Sequence, residues 1–311
     1  MGIVDFLSEL FGGKGKGRTI DELARRLKYK PENLRAVKPS YHEFEIPKRS
    51  GGKRKICAPD KELKALQRVI LKRLIGHLKA HPAATGFERG RSIVGNASAH
   101  MGKAVVLRMD IKDFFPSTPA KRVRDYFRAI GWNREATDVL VRLLTWKGGL
   151  PQGAPTSPRL SNLVNHRLDA RLDALAKSRG AVYTRYADDI TFSFDQDDSQ
   201  RITKVKHLAG MIIRDEGYSI HTRKKVSIRR KHQCQLVTGL VVNSRVNLPR
   251  YTRRRLRAVE HHAATNRPST LTPAQLAGWR SFASMVDKQR GTVLENREVM
   301  KSPRPLGEGQ G

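Results

Sequence analysis

Residues 104–110 read Ala-Val-Val-Leu-Arg-Met-Asp, an apolar stretch that ends on an acid. Residues 181–194 alternate in hydropathy on both sides of Ala187-Asp188-Asp189, with Ile190, Phe192 and Phe194 on one face. The first pattern is that of a buried strand, and the second is that of a hairpin with two acids at its turn. If the 104–110 strand lies beside that hairpin, Asp110, Asp188 and Asp189 converge at one sheet edge. Carboxylates gathered in this way repel, and one would take up a proton. A divalent cation removes the conflict, and a small carboxylate cluster with open water positions suits Mg²⁺. Two such ions about 4 Å apart would activate an attacking hydroxyl and stabilise the leaving oxygen of an in-line phosphoryl displacement. Asp-Asp at a hairpin turn is also ordinary turn chemistry, and these residues alone leave both readings open.

The acids stand against the trend of the chain. Its 311 residues carry 61 Lys+Arg and 29 Asp+Glu, a formal charge of +32. Such an excess argues against a cationic substrate and favours a polyanion, with nucleic acid first. The densest basic window runs from Arg223 to Arg257. It holds twelve Lys/Arg, among them Arg223, Lys224, Lys225, Arg250, Arg253, Arg254, Arg255 and Arg257, and no Asp or Glu. A second basic cluster, Lys48, Arg49, Lys53, Arg54 and Lys55, surrounds Gly51-Gly52 between two short extended runs, the pattern of a hairpin with a charged tip. It fits phosphate contact or a solvated turn equally.

Elsewhere, helical periodicity predicts helices over 19–28, 62–79, 119–130, 135–145, 162–178 and 202–216, and strands over 219–226 and 236–242. Strands and helices mix without a strict βαβ period, which predicts an α+β fold with helices packed on a small antiparallel sheet. The expected division is a helical extension over 1–40, a body over 41–242, a basic helical region over 243–301 and a disordered tail over 302–311. Cys57 and Cys234 make neither a disulfide framework nor a zinc pattern, so a reducing cytoplasm is expected. No apolar run approaches 18 residues, and the first residues lack the form of a secretory signal, so no membrane is expected.

Three boxes, in order, resemble the reverse transcriptase family. Met109-Asp110-Ile111-Lys112-Asp113-Phe114-Phe115 resembles the first-aspartate motif. Leu150-Pro151-Gln152-Gly153-Ala154-Pro155-Thr156-Ser157-Pro158, continuing to Leu163, resembles the loop and helix that close on the incoming nucleotide. Tyr186-Ala187-Asp188-Asp189 resembles the catalytic box. Asn96-Ala97-Ser98-Ala99-His100 and Val237-Thr238-Gly239 are similar to two short boxes of the bacterial retron branch, one before the first aspartate and one after the last.

The resemblance implies a right-hand polymerase fold with fingers, palm and a mainly helical thumb. It implies that Asp110, Asp188 and Asp189 are the catalytic ligands of two Mg²⁺ ions. It places Phe115 under the sugar, where it excludes a 2′-OH, and brings Gln152 and Gly153 to the nucleotide. Arg54 would grip the triphosphate with Lys48 and Lys55 in support, and Tyr186 and Ala187 would face the primer. Arg250, Arg253, Arg254, Arg255 and Arg257 would hold duplex or an RNA stem. Further implications are dNTP substrates, a cognate structured non-coding RNA copied into DNA from a guanosine 2′-OH, trimming by host RNase H, and anti-phage defence with a separate effector protein. Other prokaryotic reverse transcriptases (diversity-generating, abortive-infection or group II intron-like) and an idle RNA-binding scaffold are the alternatives.

Overall fold

The computed structural model describes residues 17–48, 51–221, 226–265 and 267–301, with side chains up to Gly291. Residues 1–16 of the expected helical extension, Arg49, Arg223 to Lys225 and the tail over 302–311 lie outside the described residues.

Helices α1 (Ile20–Leu27) and α2 (Pro31–Ala36) precede a hairpin of β1 (Tyr41–Pro47) and β2 (Lys53–Pro59). Helix α3 (Lys61–Arg73) follows, and after it come α4 (Ile93–Ser98), β3 (Val105–Asp110), α5 (Ala120–Ala129) and α6 (Arg134–Leu144). Leu23, Leu27, Leu34, Ile70, Phe127, Trp132 and Leu140 share one buried core. The N-terminal helices are thus docked on the body, as their apolar stripe requires.

Helices α7 (Ser157–Val164) and α8 (His166–Ser178) lead into β4 (Ala181–Tyr186) and β5 (Asp189–Phe194). Helix α9 (Ser199–Asp215) and strand β6 (Ser227–Arg230) follow, then β7 (Leu236–Val237), β8 (Leu240–Val241), α10 (Arg250–Ala264) and α11 (Pro273–Lys301). The central sheet has the order β4-β5-β3-β6 and is antiparallel throughout.

Four boundaries depart from the expected ones. The helix expected over 62–79 ends at Arg73, and a short 3-10 turn over Ile75–His77 follows it. The 162–178 helix is two helices broken at Asn165, the first starting already at Ser157. Of the strand expected over 219–226, residues 222–225 lie outside the described residues; Ile220 makes an isolated bridge to Ile111, and the segment that pairs with β3 is Ser227–Arg230. The strand expected over 236–242 is a small hairpin, because Thr238 (φ 47°) and Gly239 (φ 82°) turn the chain between β7 and β8.

The two faces of the sheet differ in kind. Val105, Leu107, Met109, Tyr183, Ile190, Phe192 and Phe194 pack on Leu168 and Leu172 of α8 and on Ile202, Val205 and Ile213 of α9. One inward position on that face is charged. Arg185 is fully buried and meets the equally buried Asp169 of α8 through two bonds, Nε to Oδ1 at 2.7 Å and Nη2 to Oδ2 at 2.6 Å. Burial alone would lower the Arg185 pKa, and the Asp169 carboxylate more than offsets it, so the guanidinium stays charged. Tyr183 Oη also donates to Asp169 Oδ1 at 2.8 Å.

The opposite face is polar near the turn. There Thr184, Thr191 and Ser193 are buried beneath α4 and its following turn. His100 is fully buried, with Nδ1 2.7 Å from Ser193 Oγ and Nε2 2.8 Å from Thr184 Oγ1. Burial, helped by Lys103, holds His100 far below the usual histidine range, at about 3. Val106 on this face packs on Val94 and Ala97 of α4, on Val237 and Leu240 of the small hairpin, and on Val286 of α11.

Two predictions follow from these faces. Between the folded value of about 3 and an unfolded value of about 6.5, the unfolded chain alone protonates His100. This contribution to stability is therefore complete above about pH 6.5 and falls by up to about 1.4 kcal/mol per pH unit down to about pH 3. His100→Gln removes that part of the slope in denaturant titrations run across the window. Arg185→Met and Asp169→Leu singly cost about 3–5 kcal/mol, each leaving one buried charge, whereas the double variant costs far less; urea unfolding of the three proteins measures this.

Candidate active site

Strand pairing puts Asp110 at the end of β3 directly opposite Asp189 at the start of β5. Tyr186 pairs with Asp189 on the other side, so Ala187 and Asp188 form a two-residue turn. Ala187 takes a left-handed conformation (φ 57°), and its carbonyl accepts from Arg185 Nη1 at 3.1 Å. Asp188 O accepts from Ile111 N at 2.9 Å, which ties the turn to the end of β3. Asp110 O accepts from His221 N at 2.9 Å. The three expected acids therefore meet at one edge, and each is half-buried.

Strand alternation places Asp110, Asp189 and Arg108 on the polar face. Arg108 Nε donates to Asp189 Oδ1 at 3.3 Å, and the same guanidinium bonds the second carboxylate oxygen. Among the described residues no group of three His, Cys, Asp or Glu side chains is preassembled to hold a metal. The donor set nevertheless fits Mg²⁺ in type: hard oxygen ligands on abutting strand ends, with a cation already neutralising one of them.

Segment 83–87 seals the outer edge of β4. Thr85 N donates to Arg185 O, and Arg185 N donates to Ala83 O, each at 2.8 Å. A Cβ on Gly86 would stand 3.0 Å from Ala187 N and 3.2 Å from the Tyr186 ring, so only glycine lets the chain pass this close to the turn. Phe114 is buried, while Phe115 stays half-exposed beside it. Phe115 packs against the margins of both core clusters.

The β1–β2 hairpin touches the site through its backbone. Cys57 N donates to Gln152 O at 2.8 Å, and a Cβ on Gly153 (φ 133°) would meet Cys57 O at 2.9 Å. The close approach that Gly153 allows is thus to β2. Lys48 and Arg54 are exposed. Lys55 alternates to the other strand face and bonds Glu43 Oε2 at 2.8 Å. Glu43 also accepts from Lys147 Nζ (2.8 Å) and Trp146 Nε1 (2.9 Å), and these bonds lower its pKa to about 2. Lys55 therefore braces the hairpin, and Arg54 is the cation on the Ile46 and Ile56 face.

The two short boxes lie beneath the turn and next to each other. Asn96 Oδ1 accepts from Thr85 Oγ1 at 2.7 Å, and His100 bonds the hairpin as described. Val237 is buried, and Thr238 Oγ1 donates to Ile93 O at 3.0 Å, at the start of the helix that carries Asn96. Both boxes join the sheet to α11.

On α10, Arg250, Arg253, Arg254, Arg255 and Arg257 are all exposed, with Tyr251 among them. Among the described residues no ion pair involves these five. Arg230, from the same basic window, is instead paired with Asp197 at 2.6 Å. A cleft of about 1070 Å³ is lined by Arg26, Lys72, Arg73, Lys79, Arg89 and Arg91, together with Phe87 and Glu88.

Sequence reasoning missed Arg185, Asp169, Arg108 and Phe87. Arg185 carried one signal: its strand parity matches Tyr183, so it had to point at the helices.

The family model described as reverse transcriptase (RNA-dependent DNA polymerase) matches residues 46–240. The retron Mx65 reverse transcriptase of Myxococcus xanthus is 40% identical over 275 residues, 83% of this chain and 64% of its own length. The retron Ec86 reverse transcriptase of Escherichia coli is 37% identical over 277 residues, 87% of this chain and 85% of its own. Among solved structures, telomerase from Candida albicans with a fragment of telomeric RNA is similar at a TM-score of 0.50 and 13% identity, over 73% of this chain and 48% of that one. That likeness supports the right-hand polymerase fold. The chain thus spans under two thirds of the Mx65 protein and most of the Ec86 protein. On the match over 46–240 and the relatives covered, the chain belongs to the reverse transcriptase family, among its retron members.

Proposed function

We propose that the protein is the RNA-directed DNA polymerase of a retron. The observation that carries this reading is the in-register pairing of Asp110 with Asp189, beside a turn that presents Asp188. In the proposed reaction these three side chains hold two Mg²⁺ ions, which supply activation of the attacking hydroxyl and stabilisation of the leaving oxygen.

The remaining residues bind and orient. Arg108 balances the charge of Asp189. Phe115 lies under the sugar of the incoming dNTP, and Arg54, with Lys48, meets the triphosphate. Gln152 and Gly153 set the distance between fingers and site through their contact with β2. Tyr186 and Ala187 face the primer end. The basic cleft suits a single strand, and the arginines of α10 suit phosphates and 2′-hydroxyls of a structured RNA.

In this reading residues 41–242 are fingers and palm, and residues 243–301 are the thumb. The template is the protein's own non-coding RNA. The product is DNA joined to a guanosine 2′-OH; host RNase H trims the RNA template in the cytoplasm, and the product is tied to anti-phage defence through a separate effector.

Purified protein with primed RNA, dNTPs and Mg²⁺ extends the primer, and Asp110→Asn, Asp188→Asn and Asp189→Asn each abolish extension without lowering Tm. Extension that survives in these variants contradicts the assignment. Sequencing of copurified nucleic acid finds one RNA covalently joined to a short DNA. RNA binding weakens steeply with salt, and each Arg→Ala on α10 makes the log–log slope shallower by roughly 0.7; filter binding from low to high salt measures it.

A further inference from the structure

Phe87 is held where a phenylalanine has no reason of its own to be. Its φ is +62°, a left-handed conformation that a bulky side chain rarely adopts, and the residue is 43% exposed. Neither fact serves stability: the backbone is strained, and much of an apolar residue remains in water. Strain of this kind persists only where the surroundings impose it, and it clusters at functional sites.

The surroundings do impose it. The buried amide of Asn162 donates to Gly86 O at 2.6 Å and to Glu88 Oε1 at 2.8 Å, so one side chain pins both neighbours of Phe87. Arg159 pairs with the same Glu88 carboxylate and also bonds the Ile75 and Leu78 carbonyls. Gly86 lies flat against the Tyr186-Ala187 turn. With its flanks fixed, the Phe87 ring points outward and stands 5.9 Å from the Tyr186 ring and 6.3 Å from the Phe115 ring, centroid to centroid. Both separations are those of interacting aromatic pairs. The Phe115 ring also stands 5.4 Å from the Phe114 ring.

We propose that Phe87 is a positioning residue that fixes the spacing of Phe115 and Tyr186 and thereby sets how strictly the site rejects a ribonucleotide. The inference rests on the polymerase reading, in which Phe115 meets the incoming sugar and Tyr186 meets the primer end. Phe87 touches both and spans the junction between them. Without its ring, Phe115 has free space where Phe87 stood, and a 2′-OH can be accommodated.

The test compares wild type with Phe87→Gly, Phe87→Ala and Phe87→Tyr on a primed RNA template. The readouts are kcat/KM for a dNTP and for the matching rNTP, together with Tm. Phe87→Gly suits the left-handed backbone, so its Tm is equal to or above that of wild type. Its dNTP-over-rNTP preference falls roughly tenfold, the scale of one aromatic contact, and the dNTP KM rises. Phe87→Ala loses the same preference, and Phe87→Tyr keeps it. A Phe87→Gly protein with unchanged preference overturns the proposal, as does a drop in its Tm with preference intact, which would make the ring a packing residue. A wild-type protein that extends no primer overturns the polymerase reading, and this proposal with it; wild-type extension with unaltered selectivity in the variants overturns this proposal alone.

Discussion

A guanidinium and a carboxylate, both withdrawn from water, sit directly beneath the turn that carries Asp188 and Asp189. Desolvating two ions costs several kcal/mol each, and an apolar pair of similar shape is often as stable. The Arg185–Asp169 pair therefore has to be understood through what it holds. Its bidentate bonds fix Arg185 in one orientation, and the remaining Nη1 is then shared between Ala187 O at 3.1 Å and Asn162 Oδ1 at 3.2 Å. The turn thus hangs from a rigid charge inside the core, and Ala187 is kept in its left-handed conformation from below. Asn162 also reaches Gly86 O, so one network holds the turn and the segment that shields its edge.

From this anchor the division of the sheet follows. One face is given to aliphatic and aromatic packing against α8 and α9, which makes it stiff. The other carries the acids at its upper end and the buried hydroxyls of Thr184, Thr191 and Ser193 below them. Hydroxyls in such a place need partners, and a neutral His100 supplies two of the bonds with its two ring nitrogens. Asn96 and Thr238 extend the same support to segment 83–87 and to α4, and Val286 brings in the long helix. The short boxes on either side of the acids thus belong to the framework that ties the central sheet to α11.

Much of this was legible in the sequence, for physical reasons. The period-two alternation around Ala187-Asp188-Asp189 has few other solutions than a hairpin, and the apolar run into Asp110 is stable only beside it. The β1–β2 hairpin was legible from Gly51-Gly52, and α1 from the Ile20, Leu23, Ala24, Leu27 stripe. The break at Asn165 was hidden because apolar positions continue through it. The hairpin at Thr238-Gly239 was hidden because its strands are two residues long, too short for any period. Arg185 was hidden because alternation reports apolar residues, and its partner Asp169 lies on the preceding helix. The left-handed conformation of Phe87 leaves no compositional trace, since it is imposed by Asn162 and Arg159 from another part of the chain. The charge of +32 was legible as a total. Its distribution was not: Lys55 is spent on Glu43 and Arg230 on Asp197, while the α10 arginines remain exposed.

Through Ala187 O, the buried pair holds the turn that sets Asp188 and Asp189 beside Asp110. The measurement that reaches this most directly is Mn²⁺ binding followed by electron paramagnetic resonance, with primed template and dNTP present, in wild type and in the folded Arg185→Met, Asp169→Leu double variant. The account predicts that the double variant keeps its fold and binds Mn²⁺ markedly more weakly, because Ala187 O has lost the donor that holds the turn. Equal Mn²⁺ affinity in the two proteins would contradict it.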